Sequence, residues 1–287
     1  MPAFALIAVL LAAVTHATWN LFAKRAASSR RFVWMYSLGS VVLYAPIVLW
    51  IVSREHPHFG AIQWAALGAT SVLHLGYSVT LQAGYRASDL SLVYPIARGS
   101  GPLLSFVGAV ILLGEHPTWL SALGLVLIVG GILLVAGLTR EPHRAPRRGI
   151  LFGLATGMFI AAYTVNDGWA VKVLGLSPFI VDFTGNVVRV AALTPAALRE
   201  RSSLVSEARS YGPHALVVSV LGPLGYILVL YAMRYAPVSH VAPARELATL
   251  VGAYFGSRLL RERSAPERLV GAALIVVGVV SLAFARP

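Results

Sequence analysis

Arg86-Ala87-Ser88-Asp89-Leu90-Ser91-Leu92-Val93-Tyr94-Pro95 recurs later in the chain as Arg234-Tyr235-Ala236-Pro237-Val238-Ser239-His240-Val241-Ala242-Pro243. Arg, Ser, Val and Pro keep their places without a gap. One deleted residue then brings Arg98 onto Arg245, and the distance from Arg to Glu is the same in both copies, Arg98 to Glu115 and Arg245 to Glu262. Gly124 and Gly271 fall into the same register. The chain is an internal duplication, and the copy boundary organises everything else.

Working outward from these segments, apolar runs bounded by charge, Pro or Gly lie near 3–23, 32–52, 61–84, 89–113 and 118–138. A second set lies near 149–171, 177–198, 213–233, 236–260 and 266–285. Roughly 20 apolar residues cross a bilayer as a helix, so each run is one crossing. With 57% hydrophobic and only 12% charged residues among 287, the surface is dressed for lipid. Five crossings per copy is an odd number, so the copies must lie in opposite orientations about an axis in the membrane plane. The expected fold is an all-α polytopic membrane protein of ten transmembrane helices, built as two inverted five-helix repeats. The repeats span 1–138 and 149–287, joined by a basic linker at 139–148.

The formal net charge of +12 does not mark a nucleic-acid binder, because the basic residues sit in short connections rather than on one polar face. Sixteen lie after the odd-numbered helices and four on the other side, the remainder being Arg98, Arg189 and Arg245 inside the apolar runs. By the positive-inside rule the 139–148 linker is cytoplasmic and both termini are not. The first run has neither a basic leader nor a small-residue cleavage site, so it reads as a retained helix of an inner-membrane, multi-pass protein. There are no cysteines, which excludes disulfides and thiol chemistry.

Ionisable groups inside a bilayer require a partner, a wet cavity or a function. Ser91, Tyr94, Arg98, Gly101, Pro102 and Ser105 recur at three- and four-residue spacing and share one polar, small face of the fourth helix. Pro95 and Pro102 bracket Arg98, each freeing a backbone carbonyl that only protein or water can satisfy. Arg98 is therefore the first candidate for an anion site, because a guanidinium stays charged and grips carboxylate or phosphonate bidentately. Arg245 is its repeat mate, followed by Glu246 about 100° further round the helix. The competing assignment for both arginines is an ion pair with Asp167, Asp182 or Glu246. His16 and Asn20, His74 and Tyr77, and Tyr163 and Asp167 repeat at the same spacings on the first, third and sixth helices and read as cavity walls. Asp182, Asn186 and Arg189 share a face of the seventh helix and read as a mutual brace, a gate being the alternative. Gly153-x-x-x-Gly157 and Gly252-x-x-x-Gly256 fit close helix packing. No nucleophile, metal set or catalytic carboxylate pair is recognisable, and His56-Pro57-His58 is too little for a metal site, so neither enzyme activity nor a cofactor is expected.

These segments together resemble the EamA-type branch of the drug/metabolite transporter superfamily over essentially the whole chain. The resemblance rests on His16-Ala17-Thr18-Trp19-Asn20, Tyr94-Pro95-Ile96-Ala97-Arg98-Gly99 with Gly114-Glu115, Ala162-Tyr163-Thr164-Val165-Asn166-Asp167-Gly168, and Ala236-Pro237 through Arg245-Glu246 and Arg261-Glu262. It implies a ten-helix transporter whose central cavity is walled by the first, third, fourth, sixth, eighth and ninth helices. Many members are drawn with cytoplasmic termini, against the charge count here. The function expected is alternating-access transport of a small anionic or zwitterionic metabolite, with carboxylates carrying protons. The alternative is translocation of a lipid or lipid-linked head group through the same cavity. The partners are that substrate and the bilayer.

Overall fold

Ser29 begins the second helix by accepting the Phe32 backbone N–H on its side chain at 3.0 Å, and the helix then runs from Arg30 to Glu55. It is one of ten helices among the described residues of the computed structural model, which are 1–25, 29–88, 90–135, 147–199, 201–251 and 266–285. In order these are α1 (Ala3–Arg25), α2 (Arg30–Glu55), α3 (Ala61–Ala87), α4 (Leu90–Leu113), α5 (Trp119–Val135), α6 (Arg147–Lys172), α7 (Pro178–Arg199), α8 (Arg201–Tyr235), α9 (Val238–Ala244) and α10 (Pro266–Phe284).

Five of them, α1, α2, α4, α6 and α8, hold stretches long and apolar enough to cross a bilayer outright, and α5 and α10 contribute shorter apolar stretches. The helices that miss this standard include α3 and α7, which carry His74 and Tyr77, and Asp182, Asn186 and Arg189. Their polarity faces inward. The outer face is a belt of bare apolar side chains such as Val42, Leu49, Trp50, Val72, Ile111, Leu112 and Met158, as a lipid-bathed surface requires.

Helix packing follows the duplication. α1 runs along α8, and their repeat mates α6 and α3 run along each other, while α2 meets α7, α4 meets α9 and α5 meets α10, each helix with its own mate. The α5–α10 crossing displays the two-fold most directly. A Cβ on Gly124 would come 2.8 Å from Gly278 O, and one on Gly278 would come 2.6 Å from Gly124 O. Gly131 and Gly271 face each other in the same way, at 2.5 and 2.7 Å. Because Gly124 is the mate of Gly271 and Gly131 of Gly278, each contact is the other's image, and the pairing runs antiparallel. That is an isologous contact within one chain, and the repeats are inverted. Gly153 sets a second close approach, where an added Cβ would meet Ile96 at 2.8 Å, so α6 lies tightly on α4. Gly252 and Gly256 lie outside the described residues.

Two boundaries differ from the sequence expectation. α8 starts at Arg201 rather than near 213. Its first turns are polar and are held by Glu207, which accepts from Ser29 and from Arg31 Nε, the latter at 2.7 Å. The expected ninth helix is interrupted. α9 stops at Ala244, Arg245 and Glu246 form a turn, and helix resumes over 247–251. At the break the ladder tightens: Glu246 N bonds Pro243 O at 2.9 Å, a three-residue pattern repeated by Thr249 N on Glu246 O. The break falls where the second copy has one residue fewer than the first, and α4 is continuous there.

Candidate functional site

A central cavity of about 230 Å³ lies in the middle of the bundle and in the half nearest the α1–α2, α3–α4 and α7–α8 connections. Eight expected residues line it: His16 and Asn20 from α1, His74 and Tyr77 from α3, Tyr94 and Arg98 from α4, Tyr163 from α6, and Arg245 at the α9 break. Asp167 and Glu246, also expected there, are fully buried behind the wall, each held by a residue that does reach it.

The first of these supports is a polar knot. Asp167 Oδ2 takes the Tyr226 hydroxyl at 2.5 Å and lies 3.1 Å from His74 Nε2, while Oδ1 accepts from Asn166 Nδ2 at 3.0 Å. Asn166 also donates to Ala66 O at 3.1 Å, tying α6 to α3. His74 stacks on Tyr163 with ring centroids 4.0 Å apart, and Tyr226 meets the same imidazole edge-on at 5.3 Å. A buried carboxylate is thus satisfied through an imidazole that itself faces the cavity.

The second support is an ion pair across the repeats. Arg98 Nε stands 3.0 Å from Glu246 Oε2. The pair is held by charge and proximity: among the described residues, Arg98 Nε and Nη2, Glu246 Oε1 and Arg245 Nε are all buried without a hydrogen-bond partner. Arg98 and Arg245 are only 6 and 7% exposed. Their guanidinium groups lie 5.7 Å from the Tyr94 ring and 6.0 Å from the Tyr163 ring, respectively. Of the ion-pair partners weighed for Arg98, the structure selects Glu246, which turns inward because the helix breaks just before it.

Asp182, Asn186 and Arg189 form the brace read from their spacing. Asn186 Nδ2 donates to Asp182 Oδ2 at 2.9 Å, and Arg189 Nη1 donates to Asn186 Oδ1 at 3.2 Å. They also line the cavity, which sequence spacing alone does not reveal. α2 contributes Tyr36 and Ser40, so the wall includes α2 and α7 besides the six helices the resemblance implied. Tyr36, Ser40 and Tyr44 do recur at four-residue spacing on one face of α2, a signal the sequence reading did not use. A second hollow of about 310 Å³ shares Ser78 and Arg189 with the first and extends to Arg86 and Val33, at the ends of α3 and α2.

On the opposite face Glu115 ties the ends of α4, α6 and α9 together. Gly114, at φ +67°, turns the chain after α4 so that Glu115 folds onto the start of α9. Glu115 accepts the Val238 and Ser239 backbone N–H groups at 2.7 and 2.9 Å and pairs with Lys172 Nζ at 3.3 Å. Beside it Ser121 Oγ lies 2.7 Å from His240 Nε2. Burial works against the Glu115 charge, yet the hydrogen bonds from Ser239 and Val238, with Lys172 nearby, hold its carboxyl below the usual range.

The model of the EamA-like transporter family matches residues 3–137 and again 147–284, one match per repeat. The chain belongs to the EamA-like transporter family. With it come membership of the drug/metabolite transporter superfamily, a multi-pass membrane setting and a small-molecule substrate. A solved structure described as "Crystal structure of protein" is similar in fold to this EamA-like chain, with a TM-score of 0.74 and 14% identity. The match covers 96% of this chain and 95% of that one. No curated protein matches the sequence.

Proposed function

We propose that this EamA-like protein is a secondary active transporter that moves a small anionic or zwitterionic metabolite across a bacterial-type inner membrane by alternating access. The observation that carries this reading is the pair of buried, repeat-related guanidinium groups, Arg98 and Arg245, on the wall of one central cavity. Two cations at mid-depth are costly unless they serve an anion, and their planar donors suit a carboxylate or a phosphonate. His16, Asn20, Tyr77, Tyr94 and Tyr163 supply hydrogen-bonding and ring contacts around that anion. Asp167, reached through His74, and Glu246, reached through Arg98, are the carriers of a coupling proton or the partners of a substrate amine. The charge count places the hollow side of the bundle toward the cytoplasm, so this conformation is inward-facing, and the repeats 1–138 and 149–287 rock about the α5–α10 crossing to open the other face.

The test has two stages. Purified protein is first screened for thermal stabilisation by small acids, amines, zwitterions and lipid head groups, because a ligand of the folded state raises apparent stability. A stabilising solute is then assayed for uptake into proteoliposomes with and without an imposed pH gradient. Stabilisation by acids or zwitterions with gradient-sensitive uptake is the expected result. Stabilisation by amines or lipid head groups alone sinks the anion reading.

A further inference from the structure

The two-fold that exchanges Arg98 with Arg245 has no partner for Glu246. The register that superposes the arginines places Glu246 on Gly99, so one buried carboxylate serves two equivalent guanidinium groups. In this conformation Glu246 sits on Arg98, while Arg245, its neighbour in sequence, has Nε buried and unpartnered and faces the cavity. The remaining described carboxylates of the site are engaged elsewhere, Asp167 with His74 and Tyr226, and Asp182 with Asn186. Glu246 itself is not saturated. Oε1 is buried without a partner, and its only described hydrogen bond is from Thr249 Oγ1 to Oε2 at 3.3 Å. Both Arg245 and Glu246 occupy the turn that interrupts α9, where the backbone has already left the helical ladder.

We infer that Glu246 is an exchangeable counter-ion shared by Arg98 and Arg245, and that the anionic group of the substrate binds the guanidinium that Glu246 leaves free. The inference rests on the anion-site reading above and refines it: Arg245 is the anchor in the conformation seen here, and Arg98 becomes the anchor when the repeats exchange roles. Two repeat-related cations with one carboxylate have two pairings, which matches the two conformations that an inverted repeat interconverts. The substrate anion and Glu246 then compete, never leaving both arginines unpaired or both paired with protein.

Four full-length variants in detergent test this, with inorganic phosphate, sulfate and acetate as probes and thermal shift giving the apparent affinity. Arg245→Gln is expected to weaken the best probe at least about tenfold, the usual effect of removing one member of a buried charge pair. Glu246→Gln removes the internal competitor and strengthens binding. Arg98→Gln alone weakens it, because Glu246 turns to Arg245. Arg98→Gln with Glu246→Gln restores affinity to near that of the unmodified protein, since Arg245 is again free, and this rescue distinguishes exchange from a fixed pair. The double variant removes the Arg98–Glu246 pair together and leaves Arg245 as it stands in the unmodified protein, so it adds no new lone charge and also guards against simple misfolding. If the double variant binds no better than Arg98→Gln, Arg98 is itself the anchor and the exchange idea is wrong, with the anion site intact. If no probe stabilises the unmodified protein, or if Arg98→Gln and Arg245→Gln both bind as before, the anion-site reading beneath it fails.

Discussion

His74 Nε2 lies 3.1 Å from Asp167 Oδ2, a contact that crosses from the first repeat to the second. His74 belongs to the cavity wall and Asp167 is fully buried behind it, so His74 stands between the carboxylate and the cavity. Asp167→Asn keeps the shape and a hydrogen-bonding oxygen and should alter stability by about 1 kcal/mol at most. Asp167→Ala strands Tyr226 and His74 and should cost about 3 kcal/mol. Uptake driven by a pH gradient should be lost in Asp167→Asn while solute exchange at equal pH persists. Undiminished gradient-driven uptake in a folded Asp167→Asn protein would remove Asp167 from the coupling path.

The tie at Glu115 is expected to be pH-dependent in a defined direction. Its carboxyl titrates lower when folded than when unfolded, so its stabilisation is complete above the ordinary glutamate value of about 4.3 and fades as pH falls through the lower folded value. Glu115→Gln should lower stability by about 2 kcal/mol at neutral pH, through the weakened bonds to the Val238 and Ser239 amides. Melting curves of both proteins should converge in acid. A constant gap down to pH 3 or so, well below that reference value, would show that the carboxylate charge contributes nothing.

At the α5–α10 crossing, Gly131→Ala and Gly271→Ala each drive a methyl into the facing backbone and should each cost about 1–3 kcal/mol. Gly130 is the control on the same helix, since an added Cβ there meets nothing within 4 Å. Gly130→Ala should be neutral or slightly stabilising. Equal melting temperatures for Gly130→Ala and Gly131→Ala would contradict the crossing.

The duplication and its inversion were legible because they are written in local signals: matched Arg, Pro and Gly positions, and an odd number of apolar runs. Residues such as His74 and Tyr163 were legible as wall candidates because three- and four-residue spacing puts polar groups on one helix face. What spacing does not carry is the pairing between helices. Tyr36 and Ser40 share a face of α2 at four-residue spacing, but that this face reaches the cavity is decided by the packing of α2 on α7 and α8. The Arg98–Glu246 pair depends on the break before Glu246, whose trace in the sequence is the deleted residue after Pro243. An unbroken helix would aim Glu246 about 100° away from Arg245, as its spacing suggested.

The linker is expected to be cytoplasmic. An Ala145→Cys protein has a single thiol, because none is native, and an impermeant maleimide should leave it unlabelled in intact cells and label it after permeabilisation. Labelling in intact cells would reverse the topology, and the hollow half of the bundle would then face outward.

Arg98 is where geometry and charge can be separated. Lysine keeps the charge but loses the planar fork, and with it the two-donor grip on Glu246 in one conformation and on the substrate anion in the other. Arg98→Lys should therefore fold, because Glu246 retains a cation, yet weaken transport of the identified solute by about tenfold or more, while Arg98→Gln should weaken it further. Stability must be read in parallel, since Arg98→Gln leaves Glu246 without its 3.0 Å partner and can lose activity by unfolding alone. Adding Glu246→Gln neutralises that burden and isolates the role of the guanidinium. If Arg98→Lys and Arg98→Gln proteins are both stable and both transport with unchanged affinity, Arg98 only braces the repeats against each other, and the substrate anion is held elsewhere in the cavity.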